Sequence, residues 1–188
     1  CMVEVQVAGF LAVPDAPLVF FVCLFLYCYK RWLENESWLN TLWLTLACVG
    51  VVYSKYHGLM VLFFTLLSNL SLLRKKQFWA MAIGATVLYL PHLSWLVELE
   101  FATFRYHLLE RIREPMPLQN FGNYLLTQLA VAGPFMGFLL FSAAFRYQTE
   151  NAFQRTLKFV LYGVLGVLLL LSFRTNIEAN WSASAFIP

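Results

Sequence analysis

The stretch WLNTLWLTLACVGVVYSKYHGLMVLFFTLLSNLSLL, residues 38–73, sets the fold class of this 188-residue chain. It contains two long apolar segments that are separated only by Ser54-Lys55-Tyr56-His57, which leaves almost no room for a loop. Two apolar segments joined this tightly predict a helical hairpin that holds Lys55 at its tip. The rest of the chain repeats the same pattern of apolar segments and short polar connections.

The composition is that of an integral membrane protein. Hydrophobic residues make up 61% of the chain and charged residues only 12%, against about 25% charged residues in an ordinary soluble domain. The net charge of +3 does not indicate nucleic-acid binding, because the basic residues are scattered between apolar segments. The four cysteines form neither a disulfide framework nor a metal-binding pair.

Six apolar segments are candidate membrane spans, because a bilayer crossing takes about 20 helical residues and buried spans are shorter. They are Ala16–Tyr29, Trp38–Tyr53, His57–Leu73, Phe78–Val97, Tyr124–Phe145 and Phe159–Phe173. We therefore expect an all-α protein, a polytopic transmembrane helical bundle with about six spans. Between residues 98 and 114, apolar residues recur at helical spacing among charged ones, which predicts an outer amphipathic helix in the interface plane.

The connections between these spans differ in charge from one side to the other. One alternating set carries eight basic and three acidic residues, and the other carries five basic and seven acidic residues. The set richer in Lys and Arg is predicted to be cytoplasmic. The polar clusters around Asp15, around Lys55, at residues 92–113 and at residues 176–181 then all lie at the outer end. Because ionisable groups near hydrocarbon are usually retained for function, this arrangement predicts a membrane-embedded site that faces one compartment.

Each of three clusters has a functional and a simpler interpretation. Asp15 is either a carboxylate of the site or a cap for the helix that follows it, and capping alone explains its position. Lys55 lies beside a helix N-terminus that favours a phosphate, but a lysine that snorkels to the interface explains it equally well. Trp181, with Glu178 and Asn180, is either a sugar-binding surface or a member of the aromatic belt.

The stretch from Phe104 to Arg113 places Arg105, His107 and Arg111 within two helical turns. Arginine offers a planar fork that suits phosphate oxygens, and histidine exchanges a proton near neutral pH. An anionic substrate group and ordinary lipid phosphates are both suitable partners. The three histidines of the chain match no metal-ligand spacing, so we predict no metal site and no cofactor, and leave open whether a divalent cation is required.

Four motifs in this order resemble those of one family. They are Pro14-Asp15-Ala16-Pro17, Ser54-Lys55-Tyr56, the Phe-Arg-Tyr-His-Leu-x-x-Arg stretch at residues 104–111, and Asn-Ile-Glu-Ala-Asn-Trp at residues 176–181. The family is the bacterial branch of the dolichyl-phosphate-mannose protein mannosyltransferase superfamily, polytopic glycosyltransferases of the GT-C fold. The resemblance implies transfer of a sugar from a polyprenyl-phosphate carrier to a lipid, glycan or protein acceptor, at the periplasmic face of the inner membrane.

The chemistry of such a transfer is consistent with this resemblance. Displacing a phosphate from an anomeric carbon builds positive charge on the sugar and releases an anion, so the site needs a carboxylate base and cations. The residues expected to bind the donor phosphate are Lys55, Arg105 and Arg111. The residues expected to contact substrate are Asp15, His57, His92, His107, Glu178, Asn180 and Trp181.

The catalytic residue has no candidate in this chain. Family members carry their catalytic acid in a large outer loop upstream of the part that corresponds to Pro14, and that loop is missing here. Residues 1–188 are therefore interpreted as a partial membrane-embedded glycosyltransferase domain, an internal fragment that is inactive by itself. The alternatives are a transporter or lipid-linked sugar flippase, which would carry polar groups at mid-membrane, and a non-catalytic membrane scaffold.

Overall fold

The computed structural model describes residues 15–99 and 117–188, and all regular structure in these two ranges is helical. Its α-helices are α1 (Asp15–Glu34), α2 (Trp38–Ser54), α3 (Gly58–Ser68), α4 (Lys76–Glu98), α5 (Pro117–Ala132), α6 (Pro134–Arg146) and α7 (Ala152–Ser172). A 3-10 helix, Leu70–Arg74, follows α3, and a C-terminal 3-10 helix, Ala179–Ala185, follows α7. The predicted interfacial helix at residues 98–114 lies almost entirely outside the described residues.

The all-α, polytopic prediction is confirmed, but within residues 15–99 and 117–188 the number of full-length spans is smaller than six. Three helices, α1, α4 and α7, are long and apolar enough to cross a membrane, and α5 with α6 makes a fourth if the pair is counted as one bent span. The helices α2 and α3 are shorter apolar helices. Within the predicted span His57–Leu73 the α-helix is short, because α3 ends at Ser68 and the chain continues as a 3-10 helix.

The candidate span Tyr124–Phe145 is not one straight helix. The chain breaks between α5 and α6, and the two helices are bent by 93° to one another. Gly133, at the break, has a φ of 83°, which is a conformation that favours glycine. The next residue is proline, which has no backbone N–H to continue the hydrogen bonds of the preceding helix.

Side-chain caps set where two of the helices begin. The Ser37 hydroxyl accepts a hydrogen bond from the backbone N–H of Asn40 at the start of α2, over 3.2 Å. The Asn151 side chain accepts from the N–H of Gln154 at the start of α7, over 2.9 Å. Helix α7 consequently begins well before the predicted Phe159, and it contains two basic residues that were expected in a loop, Arg155 and Lys158.

The core is built from one stripe on each packed helix. In α7 the buried positions recur at every fourth residue, as expected for one face of an α-helix. They are Thr156, Val160, Val164, Leu168 and Ser172. In contrast, α4 buries only Leu96 and exposes most of its apolar side chains, which is typical of a helix that faces hydrocarbon.

The hairpin predicted from residues 38–73 is present and positions the site. Only residues 55–57 separate α2 from α3, and Gly58 opens α3 in close contact with α2. A Cβ atom on Gly58 would lie 2.8 Å from the backbone oxygen of Val51, which is closer than atoms pack. The tip of the hairpin is therefore held tightly against the end of α2.

Candidate functional site

One end of the bundle brings together side chains from three distant parts of the sequence. Asp15 is the first residue of α1, Lys55 directly follows α2, and Asn180 belongs to the C-terminal 3-10 helix. The Lys55 ammonium donates to Oδ1 of Asp15 over 2.6 Å, and the Asn180 amide donates to Oδ2 over 2.9 Å. We call these three side chains the Asp15 network.

Asp15 is buried, with 2% of its surface exposed. A carboxylate in such a place is costly unless it is paired and hydrogen-bonded, so its two partners are what permit its burial. The Lys55 side chain is 18% exposed, so its ammonium reaches the surface while it pairs with the buried Asp15. An ammonium has three N–H donors, and within the described ranges the Lys55 Nζ hydrogen-bonds to Asp15 alone. Lys55 can thus hold Asp15 and still donate to an anion at the surface.

The simpler interpretation of Asp15 as a helix cap is not what the structure has. Both carboxylate oxygens accept hydrogen bonds from side chains of other elements. Among the described residues, no backbone N–H of the first turn of α1 donates to them. Asp15 is therefore a packing partner of Lys55 and Asn180, in a position that the helix dipole also favours.

The predicted anion site on the backbone at the start of α3 is not supported. The N–H groups of Gly58, Leu59 and Met60 donate to the carbonyl oxygens of residues 55, 56 and 57, over 2.9 to 3.1 Å. A helix N-terminus binds an anion through N–H groups that have no such partner. A phosphate at this end would consequently depend on side chains such as that of Lys55.

Three consecutive residues at the tip of the hairpin contact three different elements. Lys55 pairs with α1, as described above. The Tyr56 hydroxyl lies 3.2 Å from Nε2 of His92 on α4. The His57 ring packs on Trp181 of the C-terminal 3-10 helix, with ring centroids 4.6 Å apart. The tip therefore ties α1, α4 and the C-terminal 3-10 helix together.

Trp181 is buried, with 8% of its surface exposed, so it does not act as an exposed member of an aromatic belt. Its contact with His57 places it beneath the hairpin tip instead. Glu178 is exposed and precedes the 3-10 helix that carries Trp181 and Asn180. This part of the C-terminal segment thus faces the same end of the bundle as Lys55.

Sequence reasoning missed the aromatic residues that surround His92. The rings of Tyr53, Tyr56, Tyr89 and Trp95 have centroids 5.0 to 6.3 Å from that of His92. A signal was present, because Tyr89, His92 and Trp95 are three residues apart and share one side of a helix. Burial raises the pKa of the Tyr56 hydroxyl, so this group is even less prone to ionise than an ordinary tyrosine.

The structure brings together most, but not all, of the residues predicted for the site. The members that lie at this end of the bundle are Asp15, Lys55, His57, His92, Glu178, Asn180 and Trp181. Arg105, His107 and Arg111 lie outside the described residues. The binding role of every one of these residues stays a prediction.

Metal ligands do not gather in the described ranges. Among residues 15–99 and 117–188, no group of three His, Cys, Asp or Glu side chains lies close enough to hold a metal ion. His57 and His92, two of the three histidines, contact aromatic residues instead. The prediction that no cofactor is required stays a prediction.

Apolar helices of spanning length, with a polar network at one end, define a multi-pass membrane protein. A scan against protein-family models matches residues 4–110, more than half of the chain, to the dolichyl-phosphate-mannose-protein mannosyltransferase family. The chain therefore belongs to this family, as the four motifs indicated, and is a membrane glycosyltransferase of the mannosyltransferase kind. No curated protein and no solved structure matches it.

The matched range and the site overlap only in part. Asp15, Lys55, His57 and His92 all lie within residues 4–110. Asn180, which completes the Asp15 network, lies beyond it. The evidence that the C-terminal segment belongs to this end of the bundle is thus the hydrogen bond from Asn180 to Asp15, and not the family match.

Proposed function

We propose that this protein transfers a sugar from a polyprenyl-phosphate donor to an acceptor at the periplasmic face of the inner membrane. The Asp15 network then marks the end of the site that binds the donor phosphate. The observation that carries this proposal is the ion pair between Lys55 and the buried Asp15, which Asn180 completes from a remote part of the chain. The family supports the reaction class, and the proposal adds the donor, the membrane face and the residues.

Lys55 is the residue that we assign to the leaving phosphate. Negative charge grows on the phosphate oxygens as the bond to the anomeric carbon breaks, and a preorganised N–H donor stabilises that charge. Asp15 acts as a positioning residue, because its hydrogen bond fixes the ammonium in one place before the substrate arrives. Asn180 holds the second oxygen of the carboxylate and keeps it directed at Lys55.

The Asp15–Lys55 pair has no net charge, so it orients a phosphate but attracts it weakly from a distance. Further cations are needed to neutralise a bound phosphate. We propose Arg105 and Arg111 for this task, because guanidinium groups bind phosphate oxygens in a two-pronged manner. His57 and His107 are proposed substrate contacts, and Trp181 supports His57 from below.

Transport is a weaker alternative for the described part of the chain. Asp15 is the only charged side chain that is buried there, and it lies at the end of a helix rather than at mid-span. A transport pathway would place ionisable groups near the middle of the membrane. The position of Asp15 favours chemistry at the surface. The acceptor is a lipid, a glycan or a protein, and the catalytic base is unassigned.

Replacement of Lys55 in the full-length protein tests the phosphate assignment. We expect Lys55→Met to lower the release of mannose from polyprenyl-phosphate mannose by about 100-fold or more, as for loss of one donor to a developing anion. Lys55→Arg should restore part of the rate, because the charge and the donors remain. A matched control is Lys75→Met, since Lys75 also pairs with a carboxylate, that of Glu36, but at the opposite end of the bundle.

Three results would count against the proposal, and each has a different meaning. Unchanged release by Lys55→Met removes the phosphate assignment. An unmodified protein that releases sugar from no polyprenyl-phosphate donor in membrane vesicles removes the proposed reaction itself. Equal losses in Lys55→Met and Lys75→Met would indicate a general loss of structure and would also overturn the assignment.

A further inference from the structure

A second cluster of side chains surrounds His92 near the end of α4. Its members are His92, Tyr53, Tyr56, Tyr89 and Trp95, and we call them the His92 cluster. The imidazole ring lies 5.0 Å from the ring of Tyr89 and 5.4 Å from the rings of Tyr53 and Trp95, between ring centroids. The rings are inclined to that of His92 by 36° to 58° rather than stacked flat on it.

The cluster is accessible as well as ordered. Tyr53 and Trp95 are 46% and 49% exposed, whereas Tyr89 and His92 are half-buried. Two hydrogen bonds hold the polar atoms in place. The Tyr53 hydroxyl donates to the backbone oxygen of Leu88 over 3.1 Å, and the Tyr56 hydroxyl lies 3.2 Å from Nε2 of His92. Flat rings and a polar imidazole thus converge at a surface that a ligand can reach.

An aromatic belt does not account for this arrangement. Belt residues anchor a helix one by one, each with its own ring in the interface. Trp79, at the other end of α4, is such a residue, because it is 53% exposed and its Nε1 donates to the oxygen of Leu73. The rings around His92 instead come from α2, from the hairpin tip and from α4, and they meet at a single polar side chain.

A sugar ring is the class of ligand whose chemistry matches the cluster. A pyranose has apolar C–H faces and an edge of hydroxyl groups. Aromatic side chains present large, rigid and partly polar surfaces at a low cost in conformational entropy. Imidazole nitrogens and tyrosine hydroxyls both donate and accept hydrogen bonds, as the hydroxyls of a sugar require.

We infer that the His92 cluster binds a saccharide, and that this saccharide belongs to the acceptor of the reaction. The second half of this inference rests on the proposed function. Tyr56 belongs to the cluster and directly follows Lys55, and consecutive Cα atoms are about 3.8 Å apart. The Lys55 side chain is directed to Asp15 on α1, whereas that of Tyr56 is directed to His92 on α4, so a saccharide on the cluster would lie beside the donor site and not within it. The first half, saccharide binding, does not depend on turnover.

The test measures binding and reaction on the same preparation of full-length protein in lipid nanodiscs. The probes are methyl pyranosides that differ in the orientation of their hydroxyls, and saturation-transfer NMR reports contact with their ring protons. We expect Trp95→Leu and Tyr89→Leu to weaken binding of the best probe at least tenfold. Trp95→Tyr, which keeps a flat ring, should restore most of it. Trp79→Leu is the matched control on the same helix and should bind like the unmodified protein.

Several outcomes would overturn the inference. It falls if the unmodified protein binds no pyranoside, or if Trp95→Leu and Trp79→Leu bind alike, since the rings would then be membrane anchors only. Transfer to a serine-containing peptide without saccharide binding also overturns it. Sugar release from polyprenyl-phosphate mannose, without acceptor, separates the two proposals. Saccharide binding without sugar release from the donor removes the proposed function and supports the saccharide site. Sugar release from the donor without saccharide binding supports the proposed function and removes the saccharide site.

Discussion

The two ends of the helical bundle both carry charged side chains, but the charges have different partners. At one end, Asp15 is buried and pairs with residues 40 and 165 positions away in the sequence. At the other end, which we call the basic end, Lys158 donates to the backbone oxygens of Phe145 and Tyr147, and Lys75 pairs with the exposed Glu36.

The contacts at the basic end follow from the local chemistry of helix ends. Arg155 donates to the backbone oxygen of Ser68, the last residue of α3, over 2.7 Å. Lys75 lies 5.0 Å from the centre of the Trp32 ring. Cations at the C-terminal ends of helices are favoured by unpaired carbonyls and by the helix dipole. The basic side carries the larger net charge in the sequence, but the burial of a charge against a distant partner is the better sign of a site.

The largest difference between the two ends is expected from removal of their carboxylates. Asp15→Ala leaves the Lys55 ammonium without its partner, and we expect a loss of about 2–4 kcal/mol of unfolding free energy, with Lys55 partly screened by water. Sugar release from the donor should fall at least as far as in Lys55→Met. Glu36→Ala at the basic end should cost only about 0–1 kcal/mol, because that pair is exposed.

A double-mutant cycle makes this comparison quantitative. The interaction energy of Asp15→Ala with Lys55→Met, from thermal or denaturant unfolding in detergent, should exceed that of Glu36→Ala with Lys75→Met. Similar interaction energies at the two ends would contradict the view that Asp15 and Lys55 interact more strongly than Glu36 and Lys75. Loss of sugar release in the Glu36 variants would contradict the placement of the functional site at the Asp15 end only.

A smaller effect is expected from closing the space at the tip of the hairpin. In Gly58→Ala the new Cβ would press on the backbone oxygen of Val51, and such overpacking costs about 1–3 kcal/mol. Because the shift moves Lys55, donor turnover should fall together with stability. Gly166→Ala is the matched control, since a Cβ there meets nothing within 4 Å in the described structure. If Gly58→Ala leaves both thermal unfolding and turnover unchanged, the hairpin tip is not as close to α2 as described.

The smallest effect is expected from a buried hydrogen bond between α3 and α7 in the half of the bundle nearer the basic end. The hydroxyls of Ser68 and Thr156 are 2.6 Å apart. Thr156→Val keeps the shape and removes one hydroxyl, and hydrogen bonds between membrane helices contribute about 0.6 kcal/mol on average and at most about 1.7 kcal/mol. We expect a slightly lower unfolding temperature and unchanged donor turnover. A large loss of turnover would show that the active region extends to this half of the bundle.

The sequence predicted the parts of the fold that depend on local composition. Residues 38–73 predicted a hairpin because two apolar segments leave no room for a loop between them. The same reasoning failed at Gly133, where the apolar composition continues through a bend of 93°. Hydropathy does not report backbone geometry, and a glycine followed by a proline was the local signal of the break.

The candidate site was predictable as a location but not as a set of contacts. The clusters around Asp15, Lys55 and Asn180 were each expected at the outer end, and the structure places them together. The choice of partner was not predictable, because Asp15 had an adequate local explanation as a helix cap. The rings around His92 were overlooked because each aromatic residue, taken singly, is ordinary in a membrane protein.

Membrane character, helical class and the family can be read from composition, apolar length and short motifs, since these properties depend on neighbouring residues. The burial of Asp15 between Lys55 and Asn180, and the enclosure of His92 by rings of two helices and the hairpin tip, require the folded chain. The physical reason is that pairing and burial act between atoms close in space, and segments 40 to 165 residues apart become neighbours only after the helices have packed.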